Sequence, residues 1–205
     1  MITQMIAISF WQKLWFLINA WDSLLFLTIN TKLTSPFLDT ILPLCRDANT
    51  WIPLYLFLIL FLFLNFKHKA WLWILFALIT VVLTDQTSSH LVKLFIQRPR
   101  PCADDFLQFH VRLMVSHCSG GYSFTSSHAT NHFGFAVFIF MTLKDVFKRW
   151  KWAFILWAAI VSYAQVYVGV HYPLDVIAGA CLGSMIGWLT ATIYLQRQSM
   201  TIDKG

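Results

Sequence analysis

Long apolar runs constrain this chain more than any other feature. Stretches of mostly apolar residues occupy 51–66, 70–83, 133–143, 152–170 and 176–195. Several reach the length of a bilayer crossing once their polar ends are included. The sequence is 58% hydrophobic and only 12% charged, which is far from the composition of a soluble domain. We therefore predict an all-α, multi-pass transmembrane helix bundle with five clear spans and a possible sixth.

The N-terminal part is less apolar and predicts a different location. Residues 8–30 mix aromatic and aliphatic side chains with charged and amide groups, which favours an amphipathic helix lying at the membrane interface. A second short helix is predicted over 34–45. No repeat or low-complexity linker divides the 205 residues, so one membrane-embedded domain is expected. Within it, residues 1–45 would form the N-terminal helices and 46–195 the bundle that carries the site.

Charge predicts the orientation of the bundle. Fifteen Lys and Arg residues outnumber nine acids, all of them Asp. In a soluble protein this excess would suggest nucleic-acid binding, but here many cations lie in short loops between spans, so no nucleic-acid partner is predicted. These cations are Lys67, Lys69, Lys144, Lys148, Arg149, Lys151, Arg197 and Lys204. By the positive-inside rule these loops and the C-terminus are cytoplasmic, whereas 98–124 and the segment around His171 lie on the outer face.

The start of the chain is not expected to be a removable signal peptide. Residues 1–20 lack a basic leader followed by a small-residue cleavage site.

A histidine and an aspartate stand between the last two apolar runs. His171 and Asp175 are four residues apart, and Pro173 between them is suited to opening a helix. This spacing predicts that both lie on one side of the first turn, with the carboxylate oriented toward the imidazole. Such a pair is typical of a nucleophile or a base. The alternative is that the two residues only cap a helix.

A second polar cluster follows the second strong span. Asp85, Ser89 and Lys93 have the spacing of one helical face, and a polar line at this depth must contact protein or water. The alternative is a helix end that emerges early into the headgroups. Arg100 follows in a proline-rich loop. Arginine offers a planar fork and lysine a point charge, so this pair predicts a phosphate site.

The start of the next apolar helix adds hydroxyls and a histidine. Thr125 or Ser126 is the expected N-cap, and the free amides of the first turn would bind an anion. His128 lies in that turn. His128 and His132 have the spacing of zinc ligands, and with His171 they would form a zinc hydrolase site. The residues between them lack the Glu that such an enzyme uses as a base, so zinc is the minority interpretation.

Three motifs in order across residues 85–190 resemble those of the type 2 phosphatidic acid phosphatase superfamily of membrane lipid phosphatases. The first, Lys, six residues, Arg, Pro, is matched by Lys93, Arg100 and Pro101. The second, Pro-Ser-Gly-His, stands as Thr-Ser-Ser-His at 125–128. Each motif is weak alone, and their order makes the resemblance specific.

The third motif carries the main departure. The family pattern is Ser-Arg, five residues, His, three residues, Asp; here Ala164 and Gln165 precede His171 and Asp175. Gln165 in place of Arg removes a charge expected to contact phosphoryl oxygens, and loss of one oxyanion donor costs about 10²- to 10³-fold in rate. The alternative function is therefore a catalytically weakened lipid-phosphate-binding or transport protein.

The resemblance implies a lipid phosphatase that works through a phosphohistidine, with no metal or other cofactor. His171 would attack phosphorus, Asp175 would fix its tautomer, and His128 would protonate the leaving oxygen. The oxyanions would be held by the amides of the His128 turn and by the side chains of Lys93, Arg100, Ser126, Ser127 and Gln165.

The resemblance also implies a lipid phosphate substrate and a bacterial-type inner membrane. Undecaprenyl diphosphate, phosphatidylglycerol phosphate, phosphatidate and lipid A phosphates all fit, because a headgroup can reach a site at the outer edge with its chains still in the bilayer. The small size slightly favours undecaprenyl diphosphate. No oligomeric state is predicted.

Two of the four cysteines lie in one outer loop. Cys102 and Cys118 could form a disulfide across that loop in an oxidising compartment. Cys181 lies in a span and is expected to be a small core residue.

Overall fold

The computed structural model describes residues 10–198, which are mostly helical and contain no strand. Residues 8 and 9 of the predicted N-terminal helix, and Lys204 of the predicted cytoplasmic C-terminus, lie outside the described residues. Two π-helical stretches, Thr28–Lys32 and Thr87–Val92, extend α1 and α4. The α-helices are α1 (Phe10–Leu27), α2 (Pro36–Arg46), α3 (Ile52–Phe66), α4 (Lys69–Gln86), α5 (Lys93–Ile96), α6 (Ser127–Thr142), α7 (Lys144–Phe147), α8 (Trp152–Tyr167) and α9 (Pro173–Arg197).

Three helical segments within 10–198 are long and apolar enough to cross a membrane. They are Ala48–Phe66, Lys69–Ile96 and Pro173–Arg197. Helices α6 and α8 have 16 residues each, just below the usual length of a crossing. An all-helical protein with membrane-spanning helices is thus confirmed, while the five or six crossings and the interfacial helix stay predictions.

Helix starts follow the sequence signals. Ser35 accepts a hydrogen bond from the Leu38 amide at 3.2 Å and caps α2. Ser126, one of the two expected N-caps, caps α6. Pro173 opens α9 at its first position, where the missing N–H of proline has no cost. The local signals therefore fix where the helices that carry the site begin.

Helices α6 and α9 pack with their backbones in contact. A Cβ atom at Gly183 would lie 2.1 Å from the Thr130 carbonyl oxygen, and one at Gly187 would lie 2.2 Å from that of Gly134. Only glycine permits this approach, and Gly179, Gly183 and Gly187 recur every fourth residue as a glycine stripe along α9. The close packing sets the N-terminal ends of α6 and α9 side by side.

Aromatic residues fill the end of the bundle that carries the cationic loops. The Phe147 ring lies 5.5 Å from that of Phe61 and 5.3 Å from that of Phe154, centroid to centroid. The indole of Trp73 donates to the Thr142 hydroxyl at 2.8 Å. Helices α4, α6, α8 and α9 run from this apolar end to the opposite, polar end of the bundle.

Cys181 is exposed, so the expectation that it is a core residue is wrong. It lies on the side of α9 opposite the glycine stripe, and that side faces away from α6.

The N-terminal helices pack beside α8 and α9. Leu42 of α2 is buried with Ala164 and Tyr167 of α8. Phe26 of α1 contacts the Tyr172 ring at a centroid distance of 5.5 Å. As a result, the C-terminal end of α2 is directed toward the polar end of the bundle.

Candidate active site

The polar end of the bundle brings the motif residues together. Lys93 follows the π-helical extension of α4, a type of irregularity common at functional sites. It interacts electrostatically with Arg100 and Asp175. His128, in the first turn of α6, lies within electrostatic range of His171 and Lys93. Four separated segments therefore meet in one site.

His171 lies in the turn between α8 and α9 and is 2% exposed. Arg100 Nη1 lies 3.0 Å from His171 Nε2 and donates to the Val170 carbonyl at 3.1 Å. Because a guanidinium only donates, Nε2 must accept, which assigns the imidazole proton to Nδ1. Burial lowers the pKa of His171 to about 4, against the opposing effect of Asp175. The imidazole is therefore neutral near pH 7, with a lone pair on Nε2.

The link between His171 and Asp175 differs from the predicted direct one. Nδ1 lies 3.6 Å from Asp175 Oδ2, which is too long for a hydrogen bond. The Ser123 hydroxyl lies 3.3 Å from Nδ1 and donates to Oδ2 in a short hydrogen bond. The Tyr172 amide also binds Oδ2, at 2.9 Å, and fixes the carboxylate at the start of α9. A serine thus joins the pair, and sequence reasoning missed it.

Arg98 is the second residue that sequence reasoning missed. It is 9% exposed, and its guanidinium binds Asp175 Oδ1 at 2.8 Å and Asp22 Oδ2 at 2.7 Å. It also lies 3.8 Å from the Tyr172 ring centroid. The Arg-Pro-Arg-Pro sequence shows two neighbouring cations. It does not indicate which of them pairs with Asp175 and which reaches His171.

The N-terminus of α6 presents unpaired donors. The Ser126 hydroxyl accepts from the Ala129 amide at 3.4 Å, and Ser126 is fully buried. The Ser127 hydroxyl lies 2.8 Å from that of Ser89. Within 10–198 the amides of Ser127 and His128 and the His128 ring make no hydrogen bond. This helix end can bind an anion.

Gln165 is fully buried beside the site, and Arg46 contacts it. Arg46 Nε donates to Gln165 Oε1 at 3.1 Å across 119 residues of sequence. Its charge acts on both His128 and Arg100. Arg46 is the last residue of α2, and nothing in its local sequence marked it.

Two buried donors of the site have no partner in the described residues. They are Arg100 Nε and Gln165 Nε2. Buried polar atoms are seldom left unpaired in native proteins, and exceptions commonly mark a ligand or functional role. The free α6 amides add to these donors, so the site is complementary to an oxyanion.

An apolar cavity of about 370 Å³ adjoins the site. Asn131 and His132 line one end of it, and the other lining residues, such as Leu58, Trp73 and Ala77, are mainly apolar. The His132 ring lies parallel to that of His128 at 6.4 Å. The apolar cavity therefore extends to His132, one helical turn from His128.

Cys102 and Cys118, which lie in the loop before α6, form a disulfide in the structure. The Cα atoms of Cys102 and Cys118 are 5.8 Å apart, and the bridge closes the segment that follows Arg100.

No group of three His, Cys, Asp or Glu residues arranged to hold a metal ion occurs in the described part of the chain. The three histidines of the zinc interpretation do not form such a group.

A neutral buried histidine, converging cations and free helix-end amides thus lie together at one end of a membrane helix bundle. Residues 70–199 match the PAP2 superfamily, and the chain belongs to this family. The resemblance that the motifs indicated is confirmed.

Relatives of the chain are membrane lipid phosphatases. The chain is 34% identical to the lipid A 4'-phosphatase of Bacteroides thetaiotaomicron, over 76% of this chain and 69% of that protein. It is 33% identical to the lipid A 4'-phosphatase of Porphyromonas gingivalis, over 85% and 73%. The crystal structure of Aquifex aeolicus LpxE is similar with a TM-score of 0.58 and 28% identity, over 82% of this chain and 93% of that one. The protein is thus a membrane lipid phosphatase of the PAP2 type and a phosphoric ester hydrolase.

Proposed function

We propose that this protein removes a phosphate monoester from a lipid A-type glycolipid through a phosphohistidine on His171. One observation carries the mechanism: Arg100 holds Nε2 of a neutral, buried His171 as an acceptor. An arriving phosphate would take the Arg100 donors for its oxygens and leave the Nε2 lone pair facing phosphorus. The Nδ1 proton is held by Ser123 and, through it, by Asp175.

In the first step His171 Nε2 attacks phosphorus and the bond to the lipid oxygen breaks. The negative charge of the bound phosphate stabilises protonated His128, which donates its proton to that oxygen, and the lipid leaves as an alcohol. Lys93, Arg100, Ser127 and the α6 amides bind the equatorial oxygens, where negative charge is greatest in the transition state. Ser126 holds the turn as the α6 N-cap, and its hydroxyl proton remains available to an oxygen.

In the second step water attacks the phosphoryl group and the P–N bond breaks. His128 takes a proton from the water, and inorganic phosphate leaves. His171 regains its neutral form with the proton still on Nδ1. Every proton in this cycle has a protein partner, so we propose a reaction that needs no metal or other cofactor.

The lipid A-type substrate is supported by the relatives and by the apolar cavity. Two relatives that match 76% and 85% of this chain are lipid A 4'-phosphatases. The cavity beside His132 is suited to an acyl chain, since its lining offers apolar contact close to the reacting headgroup. Undecaprenyl diphosphate, which chain length alone slightly favoured, is the competing substrate.

We also propose a single domain with five crossings and the site on the outer face of the inner membrane. The cationic loops after α3 and α6 lie at the apolar end of the bundle, opposite His171, as the positive-inside rule requires. Helix α1 would lie at the interface on the site side, and the C-terminus would be cytoplasmic.

A phosphate-release assay tests this function. Purified protein in detergent would receive lipid A, undecaprenyl diphosphate, phosphatidylglycerol phosphate and phosphatidate at equal concentration, with and without a chelator and with orthovanadate. We expect release from lipid A to be fastest, unaffected by chelator and inhibited by vanadate.

Each other outcome of the assay corrects a separate part of the proposal. Faster release from undecaprenyl diphosphate would overturn the substrate. Loss of activity in chelator would overturn the metal-free mechanism. Absence of release from every lipid would favour the binding or transport alternative.

A further inference from the structure

Arg46 is a cation at the site that no motif includes. It ends α2, and its Nε binds the Oε1 of the buried Gln165. Within the described residues this is its only hydrogen bond, and it makes no ion pair there. The two terminal nitrogens of the guanidinium are thus available to a ligand.

The carboxylates near the site are already engaged. Asp175 and Asp22 pair with Arg98. Asp39, also on α2, pairs with Arg112 at 2.8 Å. Asp85 accepts from the Asn131 amide at 3.2 Å. None of them forms an ion pair with the other cations of the site.

Three cations therefore converge without a direct ion pair in the described residues, although Asp175, Asp85 and Asp47 act on them at longer range. The charge of Arg46 acts on Arg100 and on His128, and Lys93 interacts with Arg100. Like charges this close repel one another, and the repulsion is stronger in a partly buried site than in water. An anion that contacts all three would remove the repulsion. A phosphate monoester, with up to two negative charges, meets that need.

We infer that Arg46 binds the phosphoryl group and supplies the positive charge that residue 165 lacks. The inference rests on the proposed function only for the identity of the lipid. Gln165 orients Arg46 through Oε1, and its unpaired Nε2 adds a neutral donor to the same anion. The phosphate-binding charge would thus come from the end of α2 instead of from α8.

Gln165 then orients Arg46, and its presence in place of arginine does not weaken the site. An arginine at position 165 would place a second guanidinium against Arg46, so it would add repulsion along with charge. The weakened-enzyme alternative expects the opposite, because it treats the missing charge at 165 as the limit on rate. The two accounts therefore predict opposite changes in rate for Gln165→Arg: no gain if Arg46 supplies the charge, and a gain if the enzyme is weakened.

A charge-relocation series tests the inference. The variants are Arg46→Gln, Arg46→Lys, Gln165→Arg and the double variant Arg46→Gln/Gln165→Arg. Arg149→Gln is the control, since it removes an exposed arginine from the loop at the opposite end of the bundle. Each would be assayed for kcat/KM with lipid A. Each would also be assayed for the rise in melting temperature caused by orthovanadate, a readout that needs no turnover.

We expect Arg46→Gln to lower kcat/KM by about 10²- to 10³-fold, the size of a lost oxyanion donor, and to reduce the vanadate shift. Arg46→Lys should lose less, because it keeps the charge without the fork. Gln165→Arg alone should not raise kcat/KM. The double variant should have a kcat/KM at least tenfold above that of Arg46→Gln. Arg149→Gln should match the wild type.

Two results would overturn the inference. One is an Arg46→Gln protein that matches Arg149→Gln in both assays. The other is a large gain in rate from Gln165→Arg alone. If Arg46→Gln does not fold, Arg46→Lys and the double variant decide on the same readouts. Wild-type protein that releases no phosphate but retains an Arg46-dependent vanadate shift would contradict the proposed function and leave this inference intact.

Discussion

The bundle that matches the family and the N-terminal helices contribute to the site in different ways. Residues 70–199, the matched part, contain every residue of the three motifs. Helices α1 and α2 lie before it and contain none. Yet Asp22 on α1 binds Arg98, and Arg46 on α2 contacts Gln165. The motifs thus all lie in the matched part, whereas two residues that contact its polar end come from a region with no motif.

The inference for Arg46 accounts for the charge that the altered third motif lacks. A buried arginine on α8 needs a cavity and partners on α8, but a guanidinium that arrives from a neighbouring helix needs only a hydrogen-bonding anchor. Gln165 provides that anchor. A deviation inside a motif can therefore be compensated by a residue far away in sequence.

The largest expected effect on stability concerns the residue that anchors the N-terminal helices. Asn30 is fully buried; its amide donates to the carbonyls of Arg112 and Tyr167 at 2.9 and 2.8 Å, and its oxygen accepts from the Arg112 amide at 2.8 Å. Asn30→Ala would leave these buried backbone groups unpaired, at a cost of about 3 kcal/mol in the free energy of unfolding. Denaturant unfolding in detergent measures it.

Thr31→Ala is the matched control for Asn30→Ala. Its exposed hydroxyl only binds the Leu27 carbonyl of its own helix, at 2.7 Å, so the change should be under about 0.5 kcal/mol. Equal stability of the two variants would mean that the N-terminal helices are not held through Asn30.

A smaller effect is expected at Ser123, within the matched region. Ser123→Ala removes the hydroxyl between His171 Nδ1 and Asp175 and leaves Nδ1 without its nearest acceptor. A lost hydrogen bond of about 1.4 kcal/mol gives roughly a tenfold fall in kcat. Because Ser123 positions the nucleophile and does not contact phosphate, KM should change less than about threefold.

Ser116→Ala is the control for the Ser123 experiment. Ser116 is exposed in the same loop, where its hydroxyl lies 3.0 Å from His117 Nδ1. It should behave as the wild type. A rise in KM with unchanged kcat in Ser123→Ala would instead identify Ser123 as a substrate-binding residue.

The smallest expected effect is a shift in pH dependence. Burial and the charge of Arg100 lower the pKa of His171, to about 4. The nucleophile is active when neutral, so kcat/KM should fall on the acid side as pH drops through about 4, not through 6.5. Arg100→Gln removes one of the charges that lower this pKa and should move the acid limb upward.

The substrate ionises in the same way with the wild type and with Arg100→Gln. A difference between their pH profiles of kcat/KM therefore reports a group on the enzyme. An acid limb that does not move in Arg100→Gln would show that His171 does not set it.

The sequence predicted which residues come together better than it predicted their contacts. Lys93, Arg100, His128 and His171 were identifiable because they belong to three motifs that occur in order along the chain. The starts of α2, α6 and α9 were predictable from local signals. These features depend on residues close together in the chain.

What could not be predicted depends on tertiary packing. Arg98 and Arg100 are both cations in one loop, and only the docking of α1 determines that Arg98 pairs with Asp22. Arg46 and Gln165 are 119 residues apart, and no single sequence indicates such a pairing. The short α6 and α8 likewise left the number of crossings a prediction.

The phosphoenzyme itself tests the central claim most directly. Wild-type and His171→Ala protein would be mixed with lipid phosphate labelled in the phosphoryl group, quenched within one turnover under alkaline conditions, and mapped by mass spectrometry. We predict an acid-labile phosphoryl group on His171 of the wild type, none on the variant, and a loss of turnover of at least about 10⁴-fold in the variant. Label on another residue, or turnover retained by His171→Ala, would contradict the account.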